Sequence, residues 1–315
     1  MESAVRVLAI WALSWLLAGV VQAAAESGGF CWTYEGPSGP ENWKTEYGHC
    51  GERWQSPVDI DTDIVTFDPS LTPVRLKGYS EPEGEAFTLS NTGHTVQLTL
   101  PTAMHICSLP MAYTATQMHF HWGSVEHPQG SEHLVDGERA QAEVHVVHYN
   151  SEKYRNVSEA MSEEDGLLVL GILMEVGQNI NPAYENILRH LDSIPHSGQE
   201  VKIPSFDVHL LFPKQLDDYF TYSGSLTTPP CFQSVQWILF HQRVQLSQSQ
   251  FAAFKTKLFR TGPDVAAKQP LVNNFRIAQP LNDRKIRASF SMGWAVNFRK
   301  AMRHFLKTLS TRFHQ

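Results

Sequence analysis

Gln117-Met118-His119-Phe120-His121-Trp122-Gly123 alternates polar and apolar residues with a period of two, and Ala142-Glu143-Val144-His145-Val146-Val147-His148 takes up the pattern downstream. That period belongs to a strand, in which alternate side chains share a face. His119 and His121 therefore point the same way, with Gln117 beside them. His145 shares its face with Glu143 and Val147. If the two strands lie close in one sheet, three imidazoles converge with a carboxylate and an amide close behind. Three nitrogen donors and a fourth position open to water are the minimum for a catalytic zinc site. A His-x-His pair alone is weak evidence, because alternate histidines also line half-buried strands. His145 strengthens it, and so do Gln117 and Glu143, because a metal-bound imidazole normally passes its other N–H to an acceptor. His133 and His148 are expected to be structural, since a closed four-ligand site leaves no room for water.

Working outward, the chain from Val74 to His148 reads as short strands between turns: Val74–Leu76, Phe87–Leu89, Thr95–Leu100, Thr116–Trp122 and Ala142–Tyr149. Gly166–Val176 is apolar without alternation, as in a strand buried on both faces. Val235–Phe240 is another strand, while Tyr184–Leu191 and Ser247–Leu258 have helical spacing. Cys31–Arg53 reads as an irregular arm packed by aromatics. Asp59-Ile60-Asp61-Thr62-Asp63 has a superficial likeness to a calcium loop. Its sixth position is Ile64 where glycine is needed and its twelfth is Ser70 where glutamate is needed, so it is rejected. No repeat and no linker precede residue 290, so one domain is expected.

The ends differ from the body. Arg6, the apolar run Val7–Val21 and the small-residue exit Val21-Gln22-Ala23 predict a signal peptide over residues 1–23. The alternative is a membrane anchor, for which the run is short. No other apolar run reaches the roughly 20 residues of a transmembrane helix, and the polar, basic C-terminus lacks a lipid-anchor tail. A secreted, extracellular protein follows, with Asn156-Val157-Ser158 as its one glycosylation sequon. In residues 291–315, Trp294, Phe298, Met302, Phe305, Leu309 and Phe313 form a helical stripe, with Arg299, Lys300, Arg303, Lys307 and Arg312 on the other faces. This basic amphipathic helix could dock on its own domain, self-associate, or contact an acidic partner or anionic membrane surface.

Apolar residues make up 42% of the chain and charged residues 18%, which suits a sizeable globular core. The body before residue 291 carries all the acids and is net negative, with no basic patch, so nucleic-acid binding is not expected. Cys31, Cys50, Cys107 and Cys231 permit two disulfides in an oxidising compartment, with three connectivities open. Their wide spacing argues against a cysteine zinc site.

The histidine stretches, together with Gln55-Ser56-Pro57, Gly130-Ser131-Glu132-His133, Gly224-Ser225-Leu226-Thr227-Thr228-Pro229-Pro230-Cys231 and Phe275-Arg276-Ile277-Ala278-Gln279-Pro280-Leu281, resemble the α-type carbonic anhydrases. The likeness runs in order from about Trp32 to Phe290, and the signal, the Cys50/Cys231 placement and the tail look most like the family's secreted members. It implies a β-dominated α+β domain over 24–290. The core of that domain would be a large, twisted, mostly antiparallel central sheet of about ten strands, with short peripheral helices. It also implies a Zn²⁺ lyase that hydrates CO2 reversibly to bicarbonate and a proton, by attack of zinc-bound hydroxide.

By the same resemblance, His119, His121 and His145 would bind Zn²⁺, held by Gln117, the backbone carbonyl of Asn274 and Glu143 respectively. Thr227 would accept a hydrogen bond from the hydroxide and donate one to Glu132, and Thr227 N–H with Thr228 would meet bicarbonate. Val147, Val169, Leu226, Val235 and Trp237 would wall the CO2 site. His94 would shuttle the product proton, a task suited to a group titrating near neutrality, with Tyr34 and Gln97 ordering the water chain. Thr92 and Gln97 stand where many members carry asparagine. Cys50 would pair with Cys231 and brace the Thr227 loop, whereas Cys31 and Cys107 could pair together, stay free or link subunits. Two other classes are a catalytically silent binding module on the same fold and a zinc esterase. The intact triad with Thr227 and Glu132 argues against the first, and the narrow apolar wall against the second.

Overall fold

The computed structural model describes residues 32–80 and 86–291. The expected signal peptide, Cys31 and the tail helix lie outside the described residues. Ten strands form the main path of the sheet: β1 (Thr66–Phe67), β2 (Ala86–Asn91), β3 (Val96–Thr99), β4 (Tyr113–Trp122), β5 (Ala142–Asn150), β6 (Leu167–Val176), β7 (Glu200–Pro204), β8 (Tyr219–Gly224), β9 (Val235–Phe240) and β10 (Arg287–Ala288). Their spatial order is β7-β2-β3-β4-β5-β6-β9-β8-β10-β1. Neighbours are antiparallel except β6 with β9 and β10 with β1, so the sheet is mixed but mostly antiparallel. Three further short strands attach beside this path. The β-dominated architecture matches the expectation.

β4, β5 and β6 are the middle of the sheet, and their alternation separates two cores. Met118, Phe120, Val144, Val146, Leu168, Leu170 and Ile172 enter one apolar cluster; Val147, Val169 and Leu173, with Val235 and Trp237 from β9, enter the other. β6 is buried on both faces over most of its length, as its unbroken apolar run predicts. The register slips between Val147 and His148 against β4, a bulge that keeps Ala115 and Tyr113 in the larger cluster despite the change of parity.

The helices are short and peripheral: α1 (Trp43–Glu46), α2 (Val157–Ala160), α3 (Pro182–Leu188) and α4 (Gln248–Lys257). α3 begins earlier than its apolar spacing indicated because Asn181 caps Ala183 N–H and Pro182 occupies the first turn. α4 starts on a Ser247–Gln250 capping box. Asn156 caps α2 through its Oδ1, which accepts from Glu159 N–H at 3.0 Å and leaves the amide nitrogen, the atom a glycan would occupy, out of the cap.

A disulfide joins Cys50 to Cys231, as the family resemblance implied. Cys107 is exposed and takes part in no disulfide among the described residues.

Candidate metal centre

Pairing of β4 with β5 sets His145 opposite His119 and Glu143 opposite His121. Their shared face points away from the larger core, so the three rings meet where apolar residues would otherwise stand. Ring centroids are 5.0 Å apart for His119 and His121, 5.2 Å for His119 and His145, and 4.5 Å for His121 and His145. A donor nitrogen from each ring lies within 4.8 Å of the others.

Each ring is oriented by its remaining nitrogen. His119 Nδ1 donates to Gln117 Oε1 at 2.8 Å, His121 Nδ1 to Asn274 O at 2.7 Å, and His145 Nε2 to Glu143 Oε1 at 2.7 Å. That leaves His119 Nε2, His121 Nε2 and His145 Nδ1 as lone-pair donors. The last two are 3.0 Å apart, near the roughly 3.3 Å that two tetrahedral zinc ligands at about 2.0–2.1 Å would have. Burial, first of all, lowers the pKa of all three imidazoles, that of His121 to about 4. Neutral imidazole is the ligand form. Glu132 Oε2, buried and without a hydrogen bond, faces the same space, 3.5 Å from His121 Nε2 and 3.8 Å from His145 Nδ1. Three neutral nitrogens and one unsatisfied carboxylate oxygen fit a divalent cation with a water or hydroxyl beside it. His133, Glu143 and His145 form a second grouping with suitable donor atoms. Glu143, however, is already fully engaged there.

Glu143 is the hub of this floor. Its Oε2 accepts from the backbone N–H of Glu132 at 2.8 Å and of His133 at 2.7 Å, and its Oε1 from His133 Nδ1 at 2.6 Å as well as His145. Burial pushes its pKa up, but His133, His145 and these bonds outweigh that and hold it well below the usual range. β6 accommodates the carboxylate with Gly171, paired with His145: a Cβ there would lie 2.6 Å from Leu239 Cδ1 and 3.4 Å from Glu143 Oε1. His133 continues through Nε2 to Tyr222 Oη at 2.7 Å, and Tyr222 to Ser56 Oγ at 3.0 Å.

Burial raises Glu132 to about 7, and its Oε1 accepts from Arg276 N–H at 2.8 Å. Thr227 is buried beside it, and its hydroxyl is among the groups that lower the Glu132 pKa, though Oε2 itself closes no hydrogen bond. Arg276 also donates to Gln55 Oε1, Ser56 O and Cys50 O at 2.8, 3.0 and 3.0 Å. Gln55 Nε2 reaches Cys231 O at 3.2 Å, and Cys231 N–H donates to Thr228 O at 2.9 Å. The disulfide, Arg276 and the Thr227–Thr228 loop are thus one buried assembly. Sequence reasoning gave Arg276, Tyr222 and Ser56 no role. Arg276 and Ser56 stand inside quoted motifs, but their contacts cross most of the chain.

Val147, Val169, Val235, Trp237 and the half-buried Leu226 belong to one apolar cluster on this face. Trp237 packs edge-on to His145 and His133, 4.8 Å from each. Gln97 is paired with His119 across β3 and β4. Tyr34 sits in the arm 5.3 Å from Trp32 and 5.8 Å from Trp43. His94 stands apart from the triad, its ring stacked on Trp32 at 3.8 Å and 13°. Burial there, with the nearby charge of Arg260, lowers it to about 4. Asn274 links the two regions: its carbonyl holds His121, while its side-chain amide donates to His94 O at 2.9 Å.

Residues 38–290 match the eukaryotic-type carbonic anhydrase family. The chain is 44% identical to carbonic anhydrase 12 of Homo sapiens over 260 residues, covering 82% of this chain and 73% of that protein. It is 40% identical to carbonic anhydrase 6 of Bos taurus over 263 residues, covering 82% and 80%. Against carbonic anhydrase 6 of Canis lupus familiaris it is 39% identical over 283 residues, covering 89% and 86%.

Proposed function

The chain belongs to the eukaryotic-type carbonic anhydrase family and is a carbonate dehydratase; on that footing we propose that it acts as a secreted zinc enzyme, with the chemistry carried by the following residues. His119, His121 and His145 hold the metal, with Gln117, Asn274 and Glu143 fixing their rings. Zn²⁺ in such a site lowers the pKa of a coordinated water to about 7, an effect for which carbonic anhydrases are themselves the reference case.

The remaining steps fall to the chain's own groups. Glu132 takes the Thr227 hydroxyl proton as a hydrogen bond, so that Thr227 Oγ1 presents a lone pair to the reacting oxygen and aims it at carbon. Thr227 N–H and Thr228 hold the bicarbonate oxygens. Val147, Val169, Leu226, Val235 and Trp237 give CO2 an apolar resting place that excludes larger esters. His94 carries the product proton outward, with Tyr34 and Gln97 ordering water between it and the triad. Stacked on Trp32 with a pKa of about 4, His94 holds no proton at neutral pH, so the ring must leave that face to serve.

The single observation that most supports the reading is the triad itself: three converging imidazoles, two buried and one half-buried, each oriented by a separate acceptor. A silent binding module would have no need of it. Thr227→Val tests the assignment: zinc content should stay at the parent level while CO2 hydration falls about 10²-fold, the usual scale for losing one positioned hydrogen-bonding group. An unchanged rate would remove Thr227 from the mechanism.

The apolar leader supports removal of residues 1–23 and export, with 24–290 as the catalytic domain, a glycan on Asn156, and the 291–315 helix for self-association or an acidic surface. Among the described residues no helix is long and apolar enough to cross a membrane.

A further inference from the structure

Glu35 lies on the same arm as Trp32 and reaches across to a distant part of the chain. Its carboxylate pairs with Arg260 Nη2 at 3.5 Å and accepts from Asn273 Nδ2 at 3.4 Å. Arg260 is itself held: its Nε donates to Gln269 Oε1 and its backbone N–H to Gln269 O, both at 2.9 Å. The segment that carries Arg260 stands against the turn that carries His94. Asn91 Nδ2 donates to Phe259 O at 3.1 Å, and a Cβ on Gly93 would lie 3.3 Å from Arg260 O. The arm is closed on itself around Trp43, whose Nε1 donates to Thr33 O and Ser38 O at 3.0 Å. Trp32 packs on this Trp43 cluster as part of the arm, and Glu35 ties the arm's outer side to the wall beside His94.

We propose that the Glu35–Arg260 pair is a latch that keeps Trp32 stacked on His94 and so positions the ring whose release sets the rate of proton export. The inference rests on His94 being the proton shuttle. The pair is suited to opening, since the Arg260 and Glu35 side chains are 28% and 50% exposed. Such pairs add little stability and are screened by salt. Titratable groups on the elements around the ring are Tyr34 and Glu35 on the arm, His119 on the sheet, His196 on the 194–198 loop, and Arg260 and Lys268 on the segment after Phe259. Of these, Arg260 is the one whose charge is felt at His94.

The test uses the full zinc-loaded chain with Glu35→Gln and Arg260→Gln, reading the His94 C2–H titration by NMR and CO2 hydration in weak and saturating buffer. Both substitutions should raise the His94 midpoint towards the ordinary histidine value. Both should raise kcat in weak buffer by about two- to five-fold, the scale of an exposed ion pair, and leave kcat/KM unchanged. High salt should do the same to the parent and nothing further to the variants. If only the charge of Arg260 mattered, Glu35→Gln would lower the midpoint, because the guanidinium would then be unneutralised. That result, unchanged midpoints in both variants, or a fall in kcat/KM overturns the latch. His94→Ala separates the two readings. A weak-buffer kcat equal to the parent's removes the shuttle itself. A slower His94→Ala beside latch variants that match the parent removes only the latch.

Discussion

The floor of the cleft and the rim that carries His94 share Asn274 but are built in opposite ways. On the floor, every ring is held by its own acceptor, buried for His121 and His145, and Glu143 alone receives four hydrogen bonds. Behind it, Arg276 ties Glu132 to Cys50 and, through Gln55, to Cys231. At the rim, His94 is held by a ring stack on an arm whose inner side packs on the disulfide cluster and whose outer side is fastened through a half-exposed ion pair. Buried, charge-assisted hydrogen bonds resist displacement, whereas stacks and surface pairs exchange readily. On the proposed reading, the difference separates metal holding from proton export. Donors that define a metal geometry gain from being immobile, while a group that picks up a proton in one place and delivers it in another gains from being loosely kept.

Removing the disulfide should strain this contrast most. Cys50→Ser combined with Cys231→Ser should cost about 2–5 kcal/mol of unfolding free energy, as for other native disulfides, measured by denaturant titration against the parent. The bridge also belongs to the Trp43 cluster on which Trp32 and Tyr34 pack, so the His94 midpoint should rise towards the ordinary histidine value as the arm loosens. An unmoved midpoint would show that the arm keeps its place on His94 without the bridge. Glu143→Gln should come next. Losing the carboxylate behind His145 should weaken zinc binding by about 10- to 100-fold, read by competition with a chelator. Retention of full affinity would mean that the ring is oriented by its packing on Trp237 instead.

The pH response of the rim should be the gentlest. Stacked on Trp32, His94 sits at about 4, below the ordinary value of about 6.5. The released ring therefore binds protons more tightly than the stacked one, and stacking is lost as pH falls from about 6.5 towards 4. Trp32 fluorescence, read against Trp32→Phe, should change across that window, and a flat profile would place His94 off the tryptophan throughout.

Much of the floor was legible because strand alternation is local. Putting His119, His121 and Gln117 on one face needs only a period of two, and the unbroken apolar run of β6 announced a strand covered on both sides. The strands that went unnoticed have different causes. β1 and β10 are two residues long and too short to show a period. β8 carries an aromatic and β-branched run, Tyr219-Phe220-Thr221-Tyr222, that could have been recognised. The register that sets His145 against His119 depends on pairing between distant runs, and so does the reach of Arg276 to Glu132 and Cys50. The stack of His94 on Trp32 belongs with these: by its own neighbours His94 is only a loop histidine, and nothing local states that an arm will cover it.

Every proposed step depends on the three imidazoles being a working metal centre. Zinc content and stopped-flow CO2 hydration, followed together through chelation and reconstitution, test this most directly. Bound zinc in proportion to chain, a rate lost with the metal and a rate restored with it are the expected result. A rate that survives complete removal of zinc, or bound zinc with no hydration above buffer, would contradict it.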